Sequence, residues 1–344
     1  MNVPELTPAL RTRLVRRGLI ASLCAIRSVG AGGTPTPDAS AEELTAYALK
    51  LRESMEELAG RAPIGRRLRV QDAADAPVGS TWVTDERGFD GALPADVEEP
   101  WRAVERVVLH IHGGAYVLGS AATHRGLAAA MSRTARAAVL LPEYRLAPEH
   151  TFPAAADDVF ATYRWLLERV DPAHIAVSGD SAGGGLAAGL LVRARDEGLP
   201  LPACFVGMSP WMDLAATGAS MQELAEVDPW LTAELVVPAA RAYAGEAALD
   251  DPRVSPLYAE LAGLPPTLVH VGGDEILLDD ATRFVARARE AGVDASVGRF
   301  SGLWHVFHAF PVPEARQALR EIGGFIRRHT ATGPAAAVGR RPAA

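Results

Sequence analysis

The chain has 344 residues, 49% of them hydrophobic and 22% charged, with a formal net charge of −8 at pH 7. This is the composition of a folded, water-facing protein with room for one large α/β domain or two small ones. The acidic balance argues against a nucleic-acid or anionic-membrane partner. Two cysteines, Cys24 and Cys204, make no disulfide framework, and no apolar run is long enough to span a membrane.

Residues 1–66 read as a helical segment standing before the main fold. Arg11, Arg13, Arg16 and Arg17 precede the apolar run 18–26, a weak leader outline. Arg27 interrupts it, and Leu6, Leu10 and Leu14 recur at helical spacing, so the expectation is an amphipathic helix in a cytoplasmic protein. After a Gly/Thr/Pro loop at 30–37, Ser40-x-x-Glu43 forms a capping box. Leu44, Tyr47, Leu51, Met55 and Leu58 then trace one apolar helix face.

From 67 to 330 strands and helices alternate. Strands are expected near 68–70, 81–83, 106–111, 138–141, 174–177, 203–208, 267–271 and 295–300, with a surface turn at 88–94. Helices are expected at 127–136, 153–170, 186–192, 279–291 and 314–328. Such alternation predicts an α/β fold with a mostly parallel central sheet and helices on both faces. Residues 212–262 break the pattern, with a helix at 232–244, and are read as an insert that joins the N-terminal segment in a helical cap. Residues 331–344 carry no core pattern and read as a disordered tail.

Chemistry concentrates in four places. Ser178-Gly179-Asp180-Ser181-Ala182-Gly183-Gly184-Gly185 lies between a strand and a helix, where Gly-x-Ser-x-Gly makes a sharp turn that exposes a nucleophilic serine. It carries no lysine of a phosphate-binding loop. His112-Gly113-Gly114-Ala115 ends the strongest strand. Gly113 and Gly114 are assigned as N–H donors to an oxyanion, with the Ala182 N–H as a third. Ser301 to His308 follows the last strand and offers His305 and His308 as bases. His305 is preferred because it follows the Gly302 turn more closely. Gly272-Gly273-Asp274-Glu275 follows the preceding strand. Asp274, immediately after the glycine pair, is preferred as the orienting acid over Glu275, while Asp279 and Asp280 read as the start of the next helix. Trp211 is open to a pocket or a packing role.

Taken together and in this order, these motifs resemble the hormone-sensitive-lipase-like family of α/β-hydrolases, the bacterial class IV carboxylesterases. The stretches Tyr144 to His150 and Phe152 to Ala155 add to the likeness, as does Asp228-Pro229-Trp230-Leu231-Thr232, similar to a cap segment of bacterial members. The resemblance covers roughly 70–328. It implies a capped α/β-hydrolase that cleaves short- to medium-chain acyl esters through a Ser181–His305–Asp274 triad and an acyl-enzyme, without metal or organic cofactor. It is compatible with a homodimer. Lactone opening or acyl transfer by the same triad, and a non-catalytic ligand-binding protein on the same fold, are the alternatives. One departure stands out: many members carry a third glycine where this chain has Ala115, whose Cβ restricts left-handed backbone states.

Overall fold

Val107-Val108-Leu109-His110-Ile111 is buried at every position, as a strand covered on both faces must be. A computed structural model of the chain describes residues 9–29, 41–61, 65–90, 99–333 and 335. The capping box at Ser40, the loop at 30–37, part of the 88–94 turn and most of the tail lie outside these residues.

In chain order the elements are α1 (Leu10–Val29), α2 (Ala41–Arg61), β1 (Leu68–Asp72), β2 (Ser80–Asp85), β3 (Val107–Ile111), α3 (Ala121–Ala135) and β4 (Ala138–Pro142). They continue with α4 (Ala154–Leu167), β5 (Ile175–Asp180), α5 (Ala182–Asp196), β6 (Cys204–Met208), α6 (Ser220–Glu223) and α7 (Ala233–Ala244). The last are β7 (Thr267–Gly272), α8 (Leu278–Glu290), β8 (Ala295–Phe300) and α9 (Pro313–His329). The expected strands and helices are all present. α3 begins six residues before its apolar run because Ser120 and Thr123 cap it reciprocally, Ser120 Oγ accepting from the Thr123 N–H.

The eight strands form one sheet in the order β1-β2-β4-β3-β5-β6-β7-β8. β1, β2 and β4 pair antiparallel, and β4 through β8 run parallel. Side chains alternate between two cores. Val107, Leu109, Ile111, Ala138, Leu140, Ile175 and Val177 face the layer of α4, α5, α7 and α8. Val108, Val139, Leu141, Ala176 and Val206 face α3 and α9, where they meet Met131, Ile322 and Ile326. From β3 the chain passes to β4 on one side and then returns to β5 on the other. The crevice beyond the carboxyl ends of β3 and β5 is therefore the switch point at which open α/β sheets take ligands.

α3 and α9 touch backbone to backbone: a Cβ placed on Gly323 would lie 2.3 Å from the Thr134 carbonyl oxygen, whereas one on Gly126 meets nothing within 4 Å. Gly323→Ala should therefore lower the free energy of unfolding by about 1–3 kcal/mol in urea melts, while Gly126→Ala leaves it unchanged or slightly raised.

Candidate active site

β5 ends at Asp180 and α5 begins at Ala182, so one residue makes the whole turn. That residue is Ser181, held at φ 52°, ψ −125°, a backbone state that costs on the order of 1–3 kcal/mol for a residue with a Cβ. The flanking glycines make the turn sterically possible. A Cβ on Gly179 would lie 2.2 Å from the Gly183 oxygen, and one on Gly183 would lie 2.1 Å from the Ile111 oxygen and 2.4 Å from that of His112. The turn is thereby pressed against the end of β3.

The His305 Nε2 lies 2.9 Å from Ser181 Oγ. His308, the other histidine of that loop, is buried away from this contact and stacks on His270 at 5.6 Å, both rings held well below the usual imidazole range chiefly by burial. On its far side His305 Nδ1 faces Glu275 Oε1 at 3.5 Å, and Glu275 is fully buried. Burial by itself would depress the His305 pKa. The facing Glu275 carboxylate, helped by Asp228 and Asp180, outweighs it and raises the pKa above the usual value.

The expectation for Asp274 is corrected here. Its side chain turns outward and pairs with Arg16 of α1, while its backbone N–H donates to the Leu303 oxygen at 2.9 Å. Glu275, one residue further along the turn and one methylene longer, is the carboxylate that reaches the imidazole. Its other oxygen accepts from Ser209 Oγ at 2.8 Å and from the Gly272 N–H at 3.0 Å. Ser209 Oγ in turn accepts the Val306 N–H at 3.0 Å. A single hydroxyl at the end of β6 thus ties the Glu275 carboxylate to the loop that carries His305. The signal in the sequence was a polar residue at the carboxyl end of an apolar parallel strand. Asp228 does similar work from the insert: one oxygen accepts the N–H groups of Trp230 and Leu231, the other that of Ile276, the residue after Glu275. Asp279 and Asp280 do lie in the first turn of α8, where Asp280 also accepts the N–H groups of Met212 and Asp213.

The loop after β3 also departs from expectation in one residue. The Gly113 N–H is not free, because it donates to Asp180 Oδ1 at 3.1 Å. Asp180 is buried against His110 Nε2 at 3.2 Å and His124 Nε2 at 3.5 Å. Burial would raise its pKa, yet His124 and His110 more than offset this and hold it well below the carboxylate range. Gly114, Ala115 and Tyr116 then follow with φ of 123°, 54° and 64°. Ala115 adopts the left-handed state despite its Cβ. Tyr116, stacked on Tyr243 at 3.9 Å and tilted against the buried Trp211, anchors the loop from the other side. His112 Nδ1 donates to the Gly113 oxygen at 2.8 Å and its ring stacks on Tyr144. Among the described residues, the N–H groups of Gly114, Ala115 and Ala182 have no hydrogen-bond partner.

Residues 108–309 match the family model described as the alpha/beta hydrolase fold. The chain belongs to the hormone-sensitive-lipase-like esterase family of α/β-hydrolases. It is 44% identical over 250 residues to the acetyl-hydrolase of Streptomyces hygroscopicus, covering 71% of this chain and 82% of that protein. It is 40% identical to an esterase of Acinetobacter venetianus, over 64% of this chain and 74% of the relative. Among solved structures it is similar to an esterase of the bacterial hormone-sensitive lipase family, at 37% identity and TM-score 0.79, over 95% of this chain and all of that one. Among the described residues no helix of this hydrolase is long and apolar enough to cross a membrane.

Replacing Ser209 by Ala strands the Val306 N–H and removes one of two donors to a buried carboxylate. The expected loss of unfolding free energy is about 1–3 kcal/mol in denaturant titration.

Proposed function

We propose that this hydrolase is a serine carboxylesterase that cleaves short- to medium-chain acyl esters through a covalent acyl-enzyme. The observation that carries the reading is the 2.9 Å contact between His305 Nε2 and the hydroxyl of Ser181 at the strained turn. His305 takes the hydroxyl proton as Ser181 Oγ attacks the ester carbonyl. Glu275 fixes the imidazole tautomer, with the proton on Nδ1, and stabilises the imidazolium that forms. The N–H groups of Gly114, Ala115 and Ala182 receive the developing oxyanion; Gly113, committed to Asp180, shapes the loop instead. His305 then returns its proton to the departing alcohol. A water activated by the same imidazole releases the acid and regenerates the hydroxyl. The name of the Streptomyces relative, an acetyl-hydrolase, supports a short acyl group. Residues 1–66 and 212–262 would form the cap over this site.

Turnover of p-nitrophenyl butyrate should vanish to background in Ser181→Ala; activity at the wild-type level would end the proposal. Glu275→Gln should lower kcat about 10³- to 10⁴-fold, and Asp274→Asn no more than about tenfold. The reverse order would restore Asp274 as the acid.

The base works as a neutral imidazole, so kcat/KM should fall as pH drops through the raised His305 pKa, with its acid limb above about pH 6.5. Removing the Glu275 charge takes away the main influence that raises this pKa. The residual activity of Glu275→Gln should therefore show its acid limb at lower pH than wild type.

A further inference from the structure

Arg16 lies on α1, nearly a hundred residues before the first loop of the site, and its guanidinium reaches three separate loops. It pairs with Asp274 of the acid loop through Nη1, which also donates to the Gly302 oxygen of the base loop at 3.2 Å. Nη2 donates to the Val227 oxygen at 2.8 Å, beside the insert residue Asp228 that holds the Ile276 N–H. The neighbours of Arg16 on the helix reinforce the docking. Val15 and Leu19 pack on the cluster of Leu303, Trp304 and Phe307, which surrounds His305 in sequence, and Trp230 of the insert joins the same cluster. One turn earlier, the Ala9 N–H and the Thr12 hydroxyl bind Glu314 at the start of α9.

We propose that Arg16 is a positioning residue: by bridging the acid loop, the base loop and the insert, it sets the separation between Glu275 and His305. This rests on the assignment of those two residues as acid and base. The physical reason is geometric. Glu275 and His305 sit on loops from different strands, and their 3.5 Å contact is longer than a good hydrogen bond. The outward-facing Asp274 is the neighbour of Glu275, and Gly302 begins the turn to His305. A cation holding both fixes the two loops relative to each other, and a planar guanidinium does so through several fixed N–H directions where an ammonium offers one point charge. The N-terminal helix is then a working part of the site and not only a cover for it.

The test uses the full chain, with kcat expressed per serine titrated by a fluorophosphonate, so that misfolded molecules do not count. Arg16→Ala should lower kcat about tenfold with KM within about twofold. Arg16→Lys should recover part of that loss, and Arg16→Ala/Asp274→Asn should be no slower than Arg16→Ala alone, because both changes break one contact. Arg11→Ala, exposed on the same helix, should match wild type. A kcat per titrated serine within about twofold of wild type in Arg16→Ala would overturn the proposal, as would a double variant whose losses multiply. If Ser181→Ala or His305→Ala retained turnover, the esterase mechanism itself would fail. If both abolish it while Arg16→Ala is fully active, only the role of Arg16 falls.

Discussion

The turn after β5 and the end of β3 meet backbone to backbone. The α-carbon of Gly183, in the first turn of α5, lies so near the carbonyls of Ile111 and His112 that a single methyl group would collide with both. This contact brings the turn after β5 against the loop after β3, across the crevice where the chain changes direction in the sheet. Because of it, the loop that carries the N–H groups of Gly114 and Ala115 lies beside the turn that carries Ser181 and the N–H of Ala182. Small side chains at 179 and 183 are what the contact demands, and Asp180 secures it by taking the Gly113 N–H.

Around that fixed centre the remaining groups arrive on loops that need their own restraints. Glu275 and His305, the proposed acid and base, follow the ends of β7 and β8. Backbone hydrogen bonds join the two loops, from the Gly273 N–H to the Phe300 oxygen and from the Asp274 N–H to the Leu303 oxygen, and side chains from elsewhere add to them: Ser209 at the end of β6, Asp228 from the segment before α7, Arg16 from α1. The sheet supplies rigidity, while contacts to the loops that carry Glu275 and His305 come from side chains far apart in the chain. A buried carboxylate with two donors and a facing imidazole is costly to leave half satisfied, which is why Ser209 and Glu275 form a closed set with Gly272 and Val306.

Much of this was legible beforehand, for local reasons. Apolar runs such as 107–111 and 175–177, bounded by glycines, announce buried strands. Gly179-x-Ser181-x-Gly183 between a strand and a helix announces the turn, and Gly302 announces the loop that carries His305. What could not be read was the choice between neighbours within a turn. Asp274 and Glu275 are adjacent carboxylates, and no local pattern says which one faces inward. That depends on Ser209 sixty-six residues earlier and on Arg16 far upstream. Gly113 gave way to Ala115 among the free donors for the same kind of reason. The carboxylate that occupies the Gly113 N–H comes from β5, and the tyrosine pair that supports a left-handed alanine involves Tyr243 in the insert. Periodicity reports the elements, and long-range contacts decide the last residue.

The central claim is that an ester carbonyl held on Ser181 is met by three particular amides while Glu275 stands behind the imidazole. A crystal structure of the enzyme inactivated by a short alkyl phosphonate tests it most directly. The account predicts a bond from Ser181 Oγ to phosphorus and a phosphoryl oxygen within about 3 Å of the Gly114, Ala115 and Ala182 nitrogens. It also predicts Glu275 closed onto His305 Nδ1. A phosphoryl oxygen bound instead by a Gly113 N–H released from Asp180, or Asp274 swung in to the imidazole, would contradict it.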